Sequence, residues 1–245
     1  MRTIPFILLT TLSYSALVPV ILAADVQFRD DFNGTLEPGW QWIDPKGDCT
    51  KNLDTHHGSL RIAIASGRHD LWTERNDFYA PRLMREMDGD FTLETKTVGV
   101  RHDGGLLVWK DARNYVRFER GIHFKNNLYF GAAVDGNFIV IASDYVEGDE
   151  VRIRLERKGV TYSASYSLDG QQWRPVARQM IGLKRQVAQD QEDWMERLNE
   201  YDFEFGRAKG SVEMSAPGPL LVGISALSKG PKRAAEYDYF EIRGK

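Results

Sequence analysis

The sequence predicts an all-β fold, a sandwich of two antiparallel sheets, on three observations. Short segments that alternate apolar and polar residues recur along most of the chain, the period-two signature of strands with one buried face. The joints between them carry Asp-Gly and Gly-Gly pairs, which supply the positive φ that tight hairpins need. An acidic-aromatic segment stands near each end, 28–34 (FRDDFNG) and 235–242 (AEYDYFEI). Two such strands at opposite ends imply that the first and last strands pair in space. There is no βαβ rhythm, and 245 residues fit a single all-β domain.

Residues 1–24 stand apart. Met1-Arg2 gives a short positive start, 5–22 carries no charge, and Ala23-Ala24 precedes the first acidic residue. This is the pattern of a secretory leader cut after Ala24, with a domain of 25–245 exported to the periplasm or beyond the cell. The rival is an uncleaved anchor; Pro19 and the small-residue exit favour cleavage. No later segment is apolar enough to span a bilayer, so no membrane partner is expected after cleavage.

The strands follow in order. Segment 59–65 places Leu60, Ile62 and Ile64 on one side, and 91–96 alternates after the Asp88-Gly89 turn. Segment 105–109 is almost continuously apolar, as in a strand buried on both faces. Segments 115–120, 151–157 and 162–168 alternate, with Asp103-Gly104-Gly105, Asp135-Gly136 and Asp169-Gly170 as turns. Segments 220–226 and 237–243 complete the set. One stretch breaks the rhythm: 184–199 has no Gly or Pro, and Val187, Trp194, Leu198 and Tyr201 recur near helical spacing. It predicts an amphipathic helix inserted at about 184–200, capping a sheet edge or walling a cleft.

A net charge of −3, one unit more acidic once Arg2 is removed, excludes the clustered positive excess of a nucleic-acid binder. Cys49 is the only cysteine, so an internal disulfide is excluded. Catalytic use would need a histidine and an electropositive site; His56 and His57 are near in sequence, but a packed, passive thiol is the plainer expectation.

Taken together, several motifs carry a resemblance. They are Phe28 with Asp30, Asp31, Phe32 and Gly34, then Gly89-Asp90-Phe91, Gly105-Leu106-Leu107-Val108-Trp109, Asn114-Tyr115-Val116-Arg117-Phe118-Glu119, Tyr166-Ser167-Leu168-Asp169-Gly170 with Trp173, and Tyr237-Asp238-Tyr239-Phe240. The chain resembles the concanavalin A-like lectin/glucanase superfamily and, within it, the DUF1349 family, which is similar to the C-terminal jelly-roll module of family 43 β-xylosidases. The resemblance implies a jelly roll of two curved antiparallel sheets and a carbohydrate as partner. It also implies a structural calcium where the end strands meet, with Asp31 and Asp238 as the carboxylate ligands of a hard, oxygen-seeking cation.

The residues themselves nominate a sugar-facing surface. If Val116 and Phe118 point to the core, Tyr115, Arg117 and Glu119 share the opposite face. Alternation over 70–76 would group Trp72, Glu74 and Asn76, and Trp109 suits either face. Aromatic rings that stack on sugar C–H faces, with directional polar groups for the hydroxyls, are the chemistry of carbohydrate recognition. The expected binding set is thus Trp72, Glu74, Trp109, Tyr115, Arg117 and Glu119 on a concave sheet face. The plain alternative is a cross-strand salt bridge of Arg117 with Glu74 or Glu119. A glycoside hydrolase would need two carboxyl groups across the bond, and Glu74 and Glu119 are the candidates. Glu192, Asp193 and Glu196 have tempting spacing but belong to the predicted helix. A non-catalytic interaction protein is the third reading.

Overall fold

The computed structural model describes residues 25–54, 58–99, 103–183 and 203–244. Two large antiparallel sheets face each other. One runs in the order Asn137–Tyr145, Asn127–Val134, Asn114–Arg120, Gly104–Asp111, Leu220–Ala226, Arg82–Met87 and Gln41–Ile43. The other runs Arg174–Pro175, Thr161–Ser167, Glu150–Lys158, Phe91–Val98, Arg233–Gly244, Ser59–Ile64 and Thr50–Asp54. Two more strands join it: Val26–Asp30 beside Arg233–Gly244, and Ser211–Glu213 beside Thr161–Ser167. This is the expected concanavalin A-like sandwich. The predicted leader at 1–24 and the predicted helix at 184–200 lie outside the described residues.

The end strands pair as expected, with Phe28 opposite Ile242, Arg29 opposite Glu241 and Asp30 opposite Phe240. Aromatic packing seals the junction: Trp40 lies 5.5 Å from Phe28 and 5.0 Å from Phe240 between ring centres. Asp30 is buried and accepts from the Phe32 and Glu37 backbone N–H groups and from Trp40 Nε1 at 2.8–2.9 Å. A carboxylate with three donors fixes the loop after the first strand.

The core between the sheets follows from strand alternation. In Glu150–Lys158, Val151, Ile153 and Leu155 are fully buried while their neighbours face outward. Across the core, Val116 and Phe118 meet the same cluster with Leu106, Val108, Phe130, Val222 and Ile224. Each such apolar side chain contributes about 1.5–3 kcal/mol on burial.

The far face of the seven-stranded sheet is also covered. Leu71, Ala80, Ile122 and Leu227 fold over it and pack with Met84, Leu107, Tyr115, Tyr129 and Ala133 into a second cluster, edged by half-buried Phe78, Trp109, Phe138 and Leu221. An open sheet face was expected here; the segments between strands instead roof part of it.

Candidate functional site

Strand register sorts this covered face into rows. Arg82 lies opposite Ser225, Ser225 opposite Gly105, Gly105 opposite Glu119, and Glu119 opposite Tyr129. Directly paired residues point the same way, so these five share one line across five strands. The next line holds Met84, Gly223, Leu107, Arg117 and Gly131; the one beyond holds Glu86, Leu221, Trp109, Tyr115 and Ala133.

The first line is polar, buried and under-paired. Both Glu119 carboxylate oxygens, Ser225 Oγ and Arg82 Nε find no hydrogen-bond partner among the described residues. Gly105 sits between Ser225 and Glu119 because nothing larger fits: a Cβ there would stand 2.0 Å from the Phe118 carbonyl oxygen and 2.7 Å from Glu119 Cα.

Arg117 gathers the charges. Its Nη1 lies 3.2 Å from Asp70 Oδ1 and 3.6 Å from Glu119 Oε1, and its guanidinium lies 4.7 Å from the centre of the Phe138 ring. Burial works against its charge, but Glu119 and Asp70 outweigh this and hold its pKa above the ordinary arginine value. Burial pushes the Glu119 carboxyl up to about 7, with Arg117 opposing. Asp70 also accepts the Leu71 N–H at 2.8 Å and faces Arg68 at 3.5 Å. Burial pushes the Tyr129 hydroxyl up to about 12, so it stays a neutral donor. At the rim, Lys229 Nζ stands 3.1 Å from His123 Nδ1. Burial, with Lys229 and Arg117, pushes His123 down to about 3, so the neutral ring accepts from the ammonium. That bridge ties the segment after Leu220–Ala226 to the one after Asn114–Arg120.

The structure brings together part of the predicted binding set. Tyr115, Arg117 and Glu119 share the face as alternation required, and Trp109 joins them, stacked on Tyr115 at 5.3 Å and 16°. Trp109 is not a bare platform, since Arg82 lies 4.9 Å from its ring centre and Phe78 meets it edge-on. Tyr115 is fully buried; its hydroxyl donates to the Leu71 carbonyl at 3.0 Å and accepts from Thr73 Oγ1 at 3.2 Å. The grouping of Trp72, Glu74 and Asn76 is corrected. Residues Thr73–Arg75 form a 3-10 turn closed by Asn76 at φ 50°, so period-two alternation stops at Trp72. Exposed Glu74 accepts from Trp72 Nε1 at 3.0 Å, while Arg75 covers the Trp72 ring at 4.6 Å. Arg117 pairs with Glu119, as one of the two expected salt bridges, and with Asp70, but not with Glu74. Asp70, Arg82, Tyr129, Ser225 and Lys229 were missed; the one local signal was the break at Asn76, an αL-tolerant residue type.

The residues nominated for calcium do not fit it. Asp31 accepts from Arg29 Nε and Nη2 at 2.9 and 2.6 Å, and Asp238 faces Lys96 at 2.7 Å. Each carboxylate already has a cation of the chain, and Asp30 is filled by N–H donors. Among the described residues neither Asp31 nor Asp238 belongs to a group of three or more metal-ligating side chains, the start of the oxygen set that calcium takes.

The family model of the β-xylosidase C-terminal concanavalin A-like domain matches residues 29–195. A search of curated proteins returned no match. Among solved structures, the GH43 protein BlXynB of Bacillus licheniformis superposes with a TM-score of 0.59 at 16% identity, over 91% of this chain and 40% of that one. A xylan β-1,4-xylosidase of Bacillus halodurans gives 0.56 at 18%, over 92% and 41%. A β-glucanase of Bacillus licheniformis gives 0.52 at 9%, over 89% and 98%. At these identities the likeness is one of fold. The chain spans about two fifths of the length of the first two.

Proposed function

The chain belongs to the family of β-xylosidase C-terminal concanavalin A-like domains, and from that premise we propose that it is an exported carbohydrate-binding protein. Its glycan contacts the outer face of the seven-stranded sheet. The observation that carries this reading is the row Arg82, Ser225, Gly105, Glu119. It places four buried polar atoms without a hydrogen-bond partner among the described residues on either side of a position that admits only glycine. A buried polar group without a partner costs about 1–3 kcal/mol, which sugar hydroxyls, as combined donors and acceptors, would recover. Glu119 and Ser225 are fully buried, so the glycan reaches the row only as the covering segments joined by Lys229 and His123 part, and Trp109 and Phe138 form its apolar border.

Binding fits better than hydrolysis. Hydrolysis needs two carboxyl groups free to act. Asp70 is engaged by Arg117, Arg68 and the Leu71 N–H, which leaves Glu119 alone.

The test is calorimetric titration with xylo-oligosaccharides and other β-linked oligosaccharides, with chromatography of the products. Ser225→Ala is the informative variant. The hydroxyl has no hydrogen-bond partner among the described residues, so its loss does not lower stability, while losing one sugar hydrogen bond weakens binding roughly 5- to 10-fold. Absence of binding to every glycan, or equal affinity of Ser225→Ala and wild type, would refute the reading. Released sugar would replace it with the glycosidase.

A further inference from the structure

We propose that Asp48, Cys49 and His69 form a binding site for a thiophilic divalent metal, with zinc as the best fit. It stands independently of the sugar-binding reading. The three side chains bring a carboxylate oxygen, a sulfur and an imidazole nitrogen within 4.8 Å of one another. They meet because two segments are pinned together. Asp44 accepts the Gly47 and Cys49 N–H groups at 3.1 and 2.9 Å and shapes the loop that presents Asp48 and Cys49. Lys46 Nζ then donates to the Arg68 carbonyl at 2.6 Å, beside His69 on the strand Gly67–His69.

The imidazole carries the argument. His69 Nδ1 lies 3.1 Å from the Gly67 carbonyl oxygen. A carbonyl only accepts, so Nδ1 bears a proton. In the neutral ring Nε2 is then a bare lone pair, and it faces Asp48 Oδ1 at 2.8 Å. Two acceptors at that distance need positive charge between them: a second proton, or a metal. An N–H anchored on a backbone carbonyl is also the device that orients metal-binding histidines.

The distances suit zinc. Tetrahedral bonds of about 2.0–2.3 Å place ligand atoms roughly 3.3–3.7 Å apart. Cys49 Sγ to Asp48 Oδ1 is already 3.5 Å. The Nε2 to Oδ1 distance must open by about half an ångström, on the solvent side, where Asp48 is 41% exposed while His69 is fully buried. Two buried ligands and one exposed one leave the fourth position open to water. Thiolate, imidazole and carboxylate together are a zinc-type donor set, not a calcium one.

The experiment uses the full chain without an affinity tag, stripped by chelator, reduced, and titrated with Co2+ under anaerobic conditions. Cys49 is the only cysteine, so a thiolate-to-cobalt charge-transfer band reports on it alone. The expected result is a near-ultraviolet band saturating at a single equivalent, abolished by Zn2+ competition and by Cys49→Ser. Asp48→Asn weakens affinity roughly tenfold or more, with its own metal-free melting temperature measured as the baseline. Zn2+ raises the melting temperature of wild type more than that of Asp48→Asn. No band on wild type at millimolar Co2+, or unchanged Zn2+ affinity in Asp48→Asn, overturns the proposal. The wild-type band and the Asp48 variant decide the matter even if Cys49→Ser does not fold.

Discussion

Glu119→Gln tests whether the polar row is sealed from water. The Glu119 side chain is fully buried, and its nearest compensating cation is Arg117 at 3.6 Å, shared with Asp70. Burial raises its pKa from 4.5 to about 7. The folded protein therefore keeps a proton that the unfolded chain releases between those values. The stability linked to that proton is fully present below about pH 4.5 and is lost as pH rises through about 7. At 1.36 kcal/mol per pKa unit, the loss comes to about 3 kcal/mol by pH 8. Glutamine has nearly the same shape and no charge, so the variant does not pay it. Urea denaturation followed by tryptophan fluorescence, at matched ionic strength, gives both stabilities. The variant-minus-wild-type difference should climb by about 3 kcal/mol from pH 4.5 to pH 8. A difference flat to within about 0.5 kcal/mol would mean an ordinarily hydrated Glu119, and the enclosed row would fall with it. Because a sugar hydroxyl donating to this group favours its charged form, glycan affinity should rise through the same window.

Two other outcomes follow from the packing. Gly105→Ala forces a methyl group into the Phe118 carbonyl, 2.0 Å away, and should cost about 3 kcal/mol in urea denaturation, with glycan affinity falling alongside because Glu119 is displaced. Millimolar calcium added to chelator-treated protein should leave the melting temperature unchanged, since Arg29 and Lys96 already occupy Asp31 and Asp238; a rise of several degrees would restore the calcium site.

The fold was legible where one strand face meets the core and the other meets water. Segments 151–157 and 162–168 alternate plainly and were found as the strands Glu150–Lys158 and Thr161–Ser167. The strand Asn127–Val134 was not, although the Asp135-Gly136 turn after it was recognised. Seven of its eight residues are buried, so both faces are apolar or small and the period-two signal vanishes. The same covering of the second face hid the strand Arg82–Met87. Within the site, Tyr115, Arg117 and Glu119 were legible because one strand's alternation sets their common direction. Asp70 was not: its pairing with Arg117 joins residues 47 apart in sequence and depends on how the segment after Gly67–His69 folds over the sheet.

We read the distribution of polarity on that face as favouring the proposed binding role over packing alone. If the covering segments existed only to complete a second core, the cheapest solution would be apolar in every row, because each unpaired buried polar atom costs about 1–3 kcal/mol. The outer line approaches that solution, with Leu221, stacked Trp109 and Tyr115, and Ala133. The line of Arg82, Ser225 and Glu119 does not, and its deficits lie on either side of Gly105. A salt bridge alone does not account for this, since Arg117 could pair with Asp70 without Glu119, and Ser225 takes no part in the ion pairs. Four of the buried donors and acceptors without a hydrogen-bond partner among the described residues lie in this one line, beside a position where only glycine fits, and a polyhydroxylated ligand would supply the partners they lack.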